Sequence, residues 1–86
     1  MDLFTFINME ISNTHPLIIM IGFYVDNIIG LKELEDWYVP KLEELVDNPN
    51  TADIVAQLEL GLAELQDGLI TEDELKNDLR DVIKNA

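Results

Sequence analysis

The sequence predicts an all-α fold, a four-helix bundle of two similar helix-turn-helix hairpins plus a short N-terminal segment. Three observations carry this expectation. Apolar residues recur at helical spacing through most of the chain. The segment "DGLITEDEL" at 67–75 has a gap-free partner, "DNIIGLKEL" at 26–34, 41 residues earlier. Between the two copies, "DNPNT" at 47–51 gathers turn-forming residues near the middle of the chain. One domain is therefore expected over the 86 residues, with an N-terminal segment 1–13, a first hairpin 14–47 and a second hairpin 51–84.

The paired segments read as the corners of the hairpins. Asp26 aligns with Asp67, Asn27 with Gly68, Ile28 with Leu69, Ile29 with Ile70, Gly30 with Thr71, Glu33 with Glu74 and Leu34 with Leu75. Asn27 and Gly68 are the residue types that most readily take the left-handed conformation ending a helix. Ile29 and Ile70 then plug the corner. Thr71 is a good N-cap, and Glu74 three residues on completes a capping box by reaching back to the Thr71 amide. Gly30 is the weaker cap of the first copy.

Around these corners the helices can be placed in order. "PLIIMIGFYVDNII" is apolar all round, which suits a central helix or, less well, a buried strand; the repeat argues for the helix, with Pro16 near its first turn and His15 at or just outside the cap. Residues 31–47 keep Leu31, Leu34, Tyr38, Leu42 and Leu45 in phase across Pro40, which predicts one kinked helix or two short ones. Residues 52–66 place Ile54, Val55, Leu58, Leu62 and Leu65 on one stripe, with Asn50 or Thr51 as cap. Ala56, Leu60 and Ala63 add a second apolar side to that helix, which suggests packing against more than one neighbour. Residues 72–84 carry Leu75, Leu79, Val82 and Ile83 on one stripe, with acids early and Lys84 late as the helix dipole prefers. Gly22 and Gly61 interrupt two helices and are expected where backbones cross closely. Residues 1–13, with Leu3, Phe4, Phe6, Ile7, Met9 and Ile11, fit a short helix or an alternating strand, and we favour the helix.

Composition narrows the function. There is no cysteine and a single histidine, His15, so thiolate chemistry and a histidine metal cluster are excluded. Eighteen acidic against five basic residues leave a net charge of −13, which opposes binding to nucleic acid or anionic membranes and favours a basic protein partner. Residues 42–75 alone hold ten acids and no base. The longest apolar run, "PLIIMIGFYV", is ten residues, against the roughly 20 needed to span a bilayer. Asp2 stands where a signal peptide would carry a positive charge, so a cytoplasmic location is expected.

The chemistry-bearing patterns are weak beside their structural alternatives. "DGLITEDEL" matches the later half of a calcium-binding EF-hand loop at Gly68, Ile70 and Glu74, but the loop's first two side-chain ligands would fall on Ala63 and Leu65. In the first copy they would fall on Gly22 and Tyr24. A degenerate EF-hand-like pair is thus the least favoured reading, and no metal or other cofactor is expected. The clustered carboxylates of 33–47 lack a nucleophile, phosphate loop or histidine partner, so no catalytic residue is assigned and no enzyme activity is expected. The strongest interaction feature is "ELEDWYVP" at 33–40: Trp37 amid Glu33, Glu35 and Asp36, continued by Glu43, Glu44 and Asp47. Trp37 reads equally as a contact residue or as the edge of the core, whereas Tyr38 is core by helical phase.

The stretch "YVDNIIGLKEL" at 24–34, together with the small size and acidity of the chain, resembles the small helical immunity proteins of the colicin D type. The resemblance implies an acidic helical bundle that binds and blocks a basic toxin nuclease, and it assigns no individual residue a role. Both lines lead to the same expectation, a non-enzymatic protein-binding protein for a basic partner, inhibitory or immunity-like. The alternative is a self-assembling structural or adaptor module in which residues 1–29 form a homo-oligomer interface.

Overall fold

Proline fixes the start of the first described helix. Pro16 occupies its first position, where a missing N–H costs nothing, and His15 Nδ1 accepts a hydrogen bond from the Leu17 amide at 3.0 Å. The structure, a computed structural model, describes residues 15–85, so the expectation for 1–13 lies outside the described residues. Five α-helices follow in order: α1 Pro16–Val25, α2 Leu31–Tyr38, α3 Leu42–Asp47, α4 Ala52–Gln66 and α5 Glu72–Lys84. A single 3-10 turn, Val39–Lys41, joins α2 to α3 around Pro40, so the two form one rod broken where the proline removes a helical N–H. The fold is all-α, four helical rods with no strand among the described residues.

Each rod packs on its neighbours in a ring. The first, α1, touches α2 and α5; α5 touches α4; and α4 touches α3, which closes the circuit onto the broken rod. The centre is filled by Leu17, Ile21, Tyr24 and Val25 of α1, Leu34 and Tyr38 of α2, Leu45 of α3, Ile54, Val55 and Leu58 of α4, and Leu75 and Leu79 of α5. Ile29 and Ile70 pack against this core from the corners, as the plug reading requires.

The repeat holds in three dimensions through three matched bonds. In the first corner the amides of Asp26, Asn27 and Ile28 donate to the carbonyls of Gly22 (3.0 Å), Tyr24 (3.0 Å) and Phe23 (2.8 Å). In the second, Asp67, Gly68 and Leu69 donate to Ala63 (3.0 Å), Leu65 (3.1 Å) and Glu64 (2.8 Å). Every donor and acceptor is displaced by the same 41 residues, and both corners are Schellman closures around a left-handed residue. The correspondence extends into the core, where Leu17 and Leu58, Leu34 and Leu75, and Tyr38 and Leu79 are all buried at that offset. The caps differ as their residues dictate. Thr71 and Glu74 exchange both bonds of the capping box, at 2.9 and 3.2 Å. Gly30 has no side chain to offer, so only the Glu33 half exists, at 2.9 Å.

As expected of the corner, Asn27 adopts φ 64° and ends α1, which stops at Val25 with residues 26–29 as turn. Three expectations are corrected. Ala56, Leu60 and Ala63 face solvent, and α4 reaches its two neighbours with its other residues. Thr51 takes the N-cap position of α4, but its hydroxyl does not cap; it is fully buried and donates to the Leu45 carbonyl at 2.6 Å, tying α3 to α4. Gly22 is no close crossing, since a Cβ there would meet only Ile83 Cδ1, at 3.9 Å. Gly61 is one, but against a side chain: its Cβ would lie 2.5 Å from Leu75 Cδ1.

Candidate partner-binding surface

The acidic residues singled out in the sequence lie along the broken rod. On α2, Leu34 and Tyr38 turn inward and Glu33 and Asp36 outward, with Glu35 and Trp37 half-buried at the margins. On α3, Leu45 is buried and Glu43, Glu44 and Asp47 are exposed. The helical period alone produces this division, apolar residues taking one face and carboxylates the other.

Two of these side chains already have structural work. Glu33 holds the Gly30 amide, and Asp36 pairs with Lys32 at 3.1 Å. That pair is 86% and 67% exposed, so it contributes at most about 0.5 kcal/mol and is weakened further by salt. Trp37 packs against the core with one side, while Lys41 covers its ring, the ammonium 4.7 Å from the centroid. Lys41 also donates to the Trp37 carbonyl at 3.3 Å. Lys41 stands four residues after Trp37, on the same face, so the aromatic is screened and does not stand clear among acids. No hydrogen bond or ion pair among the described residues joins Glu43, Glu44 or Asp47 to the α2 group, so the surface is two acidic patches with Lys41 between them.

The disposition of the cations was not legible in the sequence. Lys76 donates to Asn27 Oδ1 at 2.6 Å and lies 5.1 Å from the Tyr24 ring centroid. Arg80 donates to the Val25 carbonyl at 3.1 Å and to Asn77 Oδ1 at 3.2 Å. Two of the three cations of α5, Lys76 and Arg80, thus reach the C-terminal end of α1, where the helix dipole places negative potential. Among the described residues one ion pair exists, Lys32–Asp36, for the 16 carboxylates that remain when Asp2 and Glu10 are set aside.

Two buried phenols were also missed as polar partners. Tyr24 donates to Glu72 at 2.7 Å and Tyr38 to Glu59 at 3.2 Å, each linking the first hairpin to the second. Burial first, and then the adjacent glutamate, pushes both phenols well above their ordinary range. In a chain so rich in acid, nothing in the spacing marks which glutamate will meet which tyrosine.

At the repeated corner, Thr71 and Glu74 spend their oxygens on the capping box. Among the described residues no group of three or more His, Cys, Asp or Glu side chains is arranged to hold a metal ion. No helix among them is long and apolar enough to cross a membrane. Comparison with protein-family models, with curated proteins and with solved structures returned no match.

Proposed function

We propose that this chain is a non-enzymatic, cytoplasmic protein-binding protein, an inhibitor or immunity-like protein for a basic partner. The observation that supports it most is electrostatic. The described residues carry 16 carboxylates and one ion pair, and the Lys41, Lys76 and Arg80 contacts are to carbonyls, amide oxygens and aromatic rings. The negative field is therefore left uncompensated at the surface, which costs the folded state self-repulsion that a cationic partner relieves. Glu33, Glu35, Asp36, Glu43, Glu44 and Asp47 supply the field, and Trp37 lies between the two groups with Lys41 over its ring.

The test is recovery of the partner from the native cell with the tagged chain, followed by affinity measurement across ionic strength. A basic partner whose dissociation constant rises at least about tenfold between low and physiological salt supports the reading. Substituting Glu43→Gln, Glu44→Gln and Asp47→Asn together should weaken binding and leave the thermal midpoint in place. An acidic partner, or affinity indifferent to salt, sinks it. The gene next to this one is a quick check, since an immunity protein is encoded beside its toxin.

The second reading, a self-assembling module, draws on the exposed Phe23 and on Ile28, 64% exposed, both within the apolar stretch 1–29. Sedimentation separates the two, a monomer favouring the inhibitor and a stable oligomer the module.

A further inference from the structure

The outer seam between α4 and α5 is a groove of about 240 Å³. Gly61 and Leu75 lie in its lining, Leu75 Cδ1 filling the space that a side chain at position 61 would take. Leu60, 55% exposed, forms one apolar wall and Val82, half-buried, the other. Glu64, Asp78 and Asp81 stand in the same lining. Arg80, between two of these acids in sequence, is turned away to the Val25 carbonyl, so no described cation lines the groove. None of the three carboxylates takes part in a side-chain hydrogen bond or ion pair among the described residues.

We propose that this groove is a socket for one arginine side chain of the basic partner. The inference rests on the reading of a basic partner and adds where, and with what residue, that partner engages α4 and α5. Size and chemistry select arginine. A volume of this order takes one long side chain, and its methylene stem lies against Leu60 and Val82 while its head reaches the carboxylates. A guanidinium is planar, weakly hydrated and forked, so it meets two carboxylates at once, whereas an ammonium is a compact and strongly hydrated point charge.

The experiment uses the full chain labelled with ¹⁵N and titrated at low salt with a hexa-arginine peptide, then with hexa-lysine. The socket predicts saturable amide shifts concentrated in residues 57–64 and 75–82, and a hexa-lysine affinity at least about threefold weaker. Asp78→Asn with Asp81→Asn should weaken hexa-arginine at least about fivefold with the thermal midpoint retained. Leu60→Ser, a change at an exposed position, should also weaken it. Shifts centred on residues 33–47, or full affinity in the Asp78→Asn, Asp81→Asn variant, would overturn the socket and leave the basic-partner reading standing. Equal affinity for the two peptides also overturns it. The basic-partner reading fails separately, if the native partner proves not to be basic or binds independently of salt.

Discussion

Asn27 and Gly68, 41 residues apart, hold the same left-handed backbone, at φ 64° and 75°. Each terminates a helix through the same three bonds, but only glycine does so without steric cost to its own side chain. A Cβ at Gly68 would meet nothing within 4 Å, so the penalty there is purely backbone. Gly68→Ala should lose about 1 kcal/mol in urea unfolding. Asn27→Gly should stay within about 0.5 kcal/mol of the parent, because relief of the left-handed strain offsets loss of an exposed bond to Lys76. A Gly68→Ala protein as stable as the parent would mean that the corner is not held as described.

The two glycines inside helices make a sharper pair, because the structure gives them opposite signs. Alanine gains about 1 kcal/mol over glycine within a helix. At Gly22 the new methyl would make an ordinary contact with Ile83, so Gly22→Ala should stabilise by about 0.5 to 1 kcal/mol. At Gly61 it would press on Leu75 Cδ1 at 2.5 Å, at the end of a side chain buried in the core. Overpacking of about 1 to 3 kcal/mol then outweighs the propensity gain. Thermal melts of the two variants should move in opposite directions, and a rise in both would refute the close packing at Gly61.

These corners and glycines mark what the sequence could carry. The helical stripes and the Thr71–Glu74 box were legible because each is a local pattern of residues three or four apart, and the repeat because its two copies align without a gap. The sequence also placed Tyr38 in the core by its phase with Leu34 and Leu42. Hidden were relations between elements: the depth of Thr51, the reach of Arg80 to α1 and the glutamate partners of the tyrosines. Each of these links residues from different elements, and helical period says nothing about azimuth between rods. Ala56, Leu60 and Ala63 illustrate the converse, an apolar side on a helix already satisfied by two neighbours. Of the acidic surface, residue positions were readable, and so was the spacing of four that sets Lys41 beside Trp37, but not that the ammonium lies over the ring.

That placement decides what Trp37→Ala will do. The indole is half-buried against the core with a cation over its outer face, so its removal should cost about 1 to 2 kcal/mol, less than for a fully buried aromatic. Lys41→Ala, which removes only the cation, should cost no more than about 1 kcal/mol. Chemical denaturation of both variants, and of their double, checks the coupling. If Trp37→Ala leaves stability unchanged, the indole belongs to a contact surface and not to the core.

The buried phenols make stability depend on alkaline pH. An unfolded tyrosine loses its proton near pH 10, whereas Tyr24 and Tyr38 hold theirs to higher pH in the folded chain. Above pH 10 the folded state therefore binds more protons than the unfolded state, and stability must fall as pH rises. Below that pH the contribution of each phenol is fully present, at about 1 kcal/mol for the hydrogen bond to its glutamate. Tyr24→Phe with Tyr38→Phe keeps both rings and deletes both hydroxyls, so the variant should be the less stable protein at neutral pH. Its stability should decline more gently above pH 10, and the gap to the parent should narrow. Urea unfolding at neutral pH and at stepped pH above 10 measures that gap directly. A gap that stays constant, or widens with pH, would mean that the two phenols are not held protonated by burial beside Glu72 and Glu59 as described.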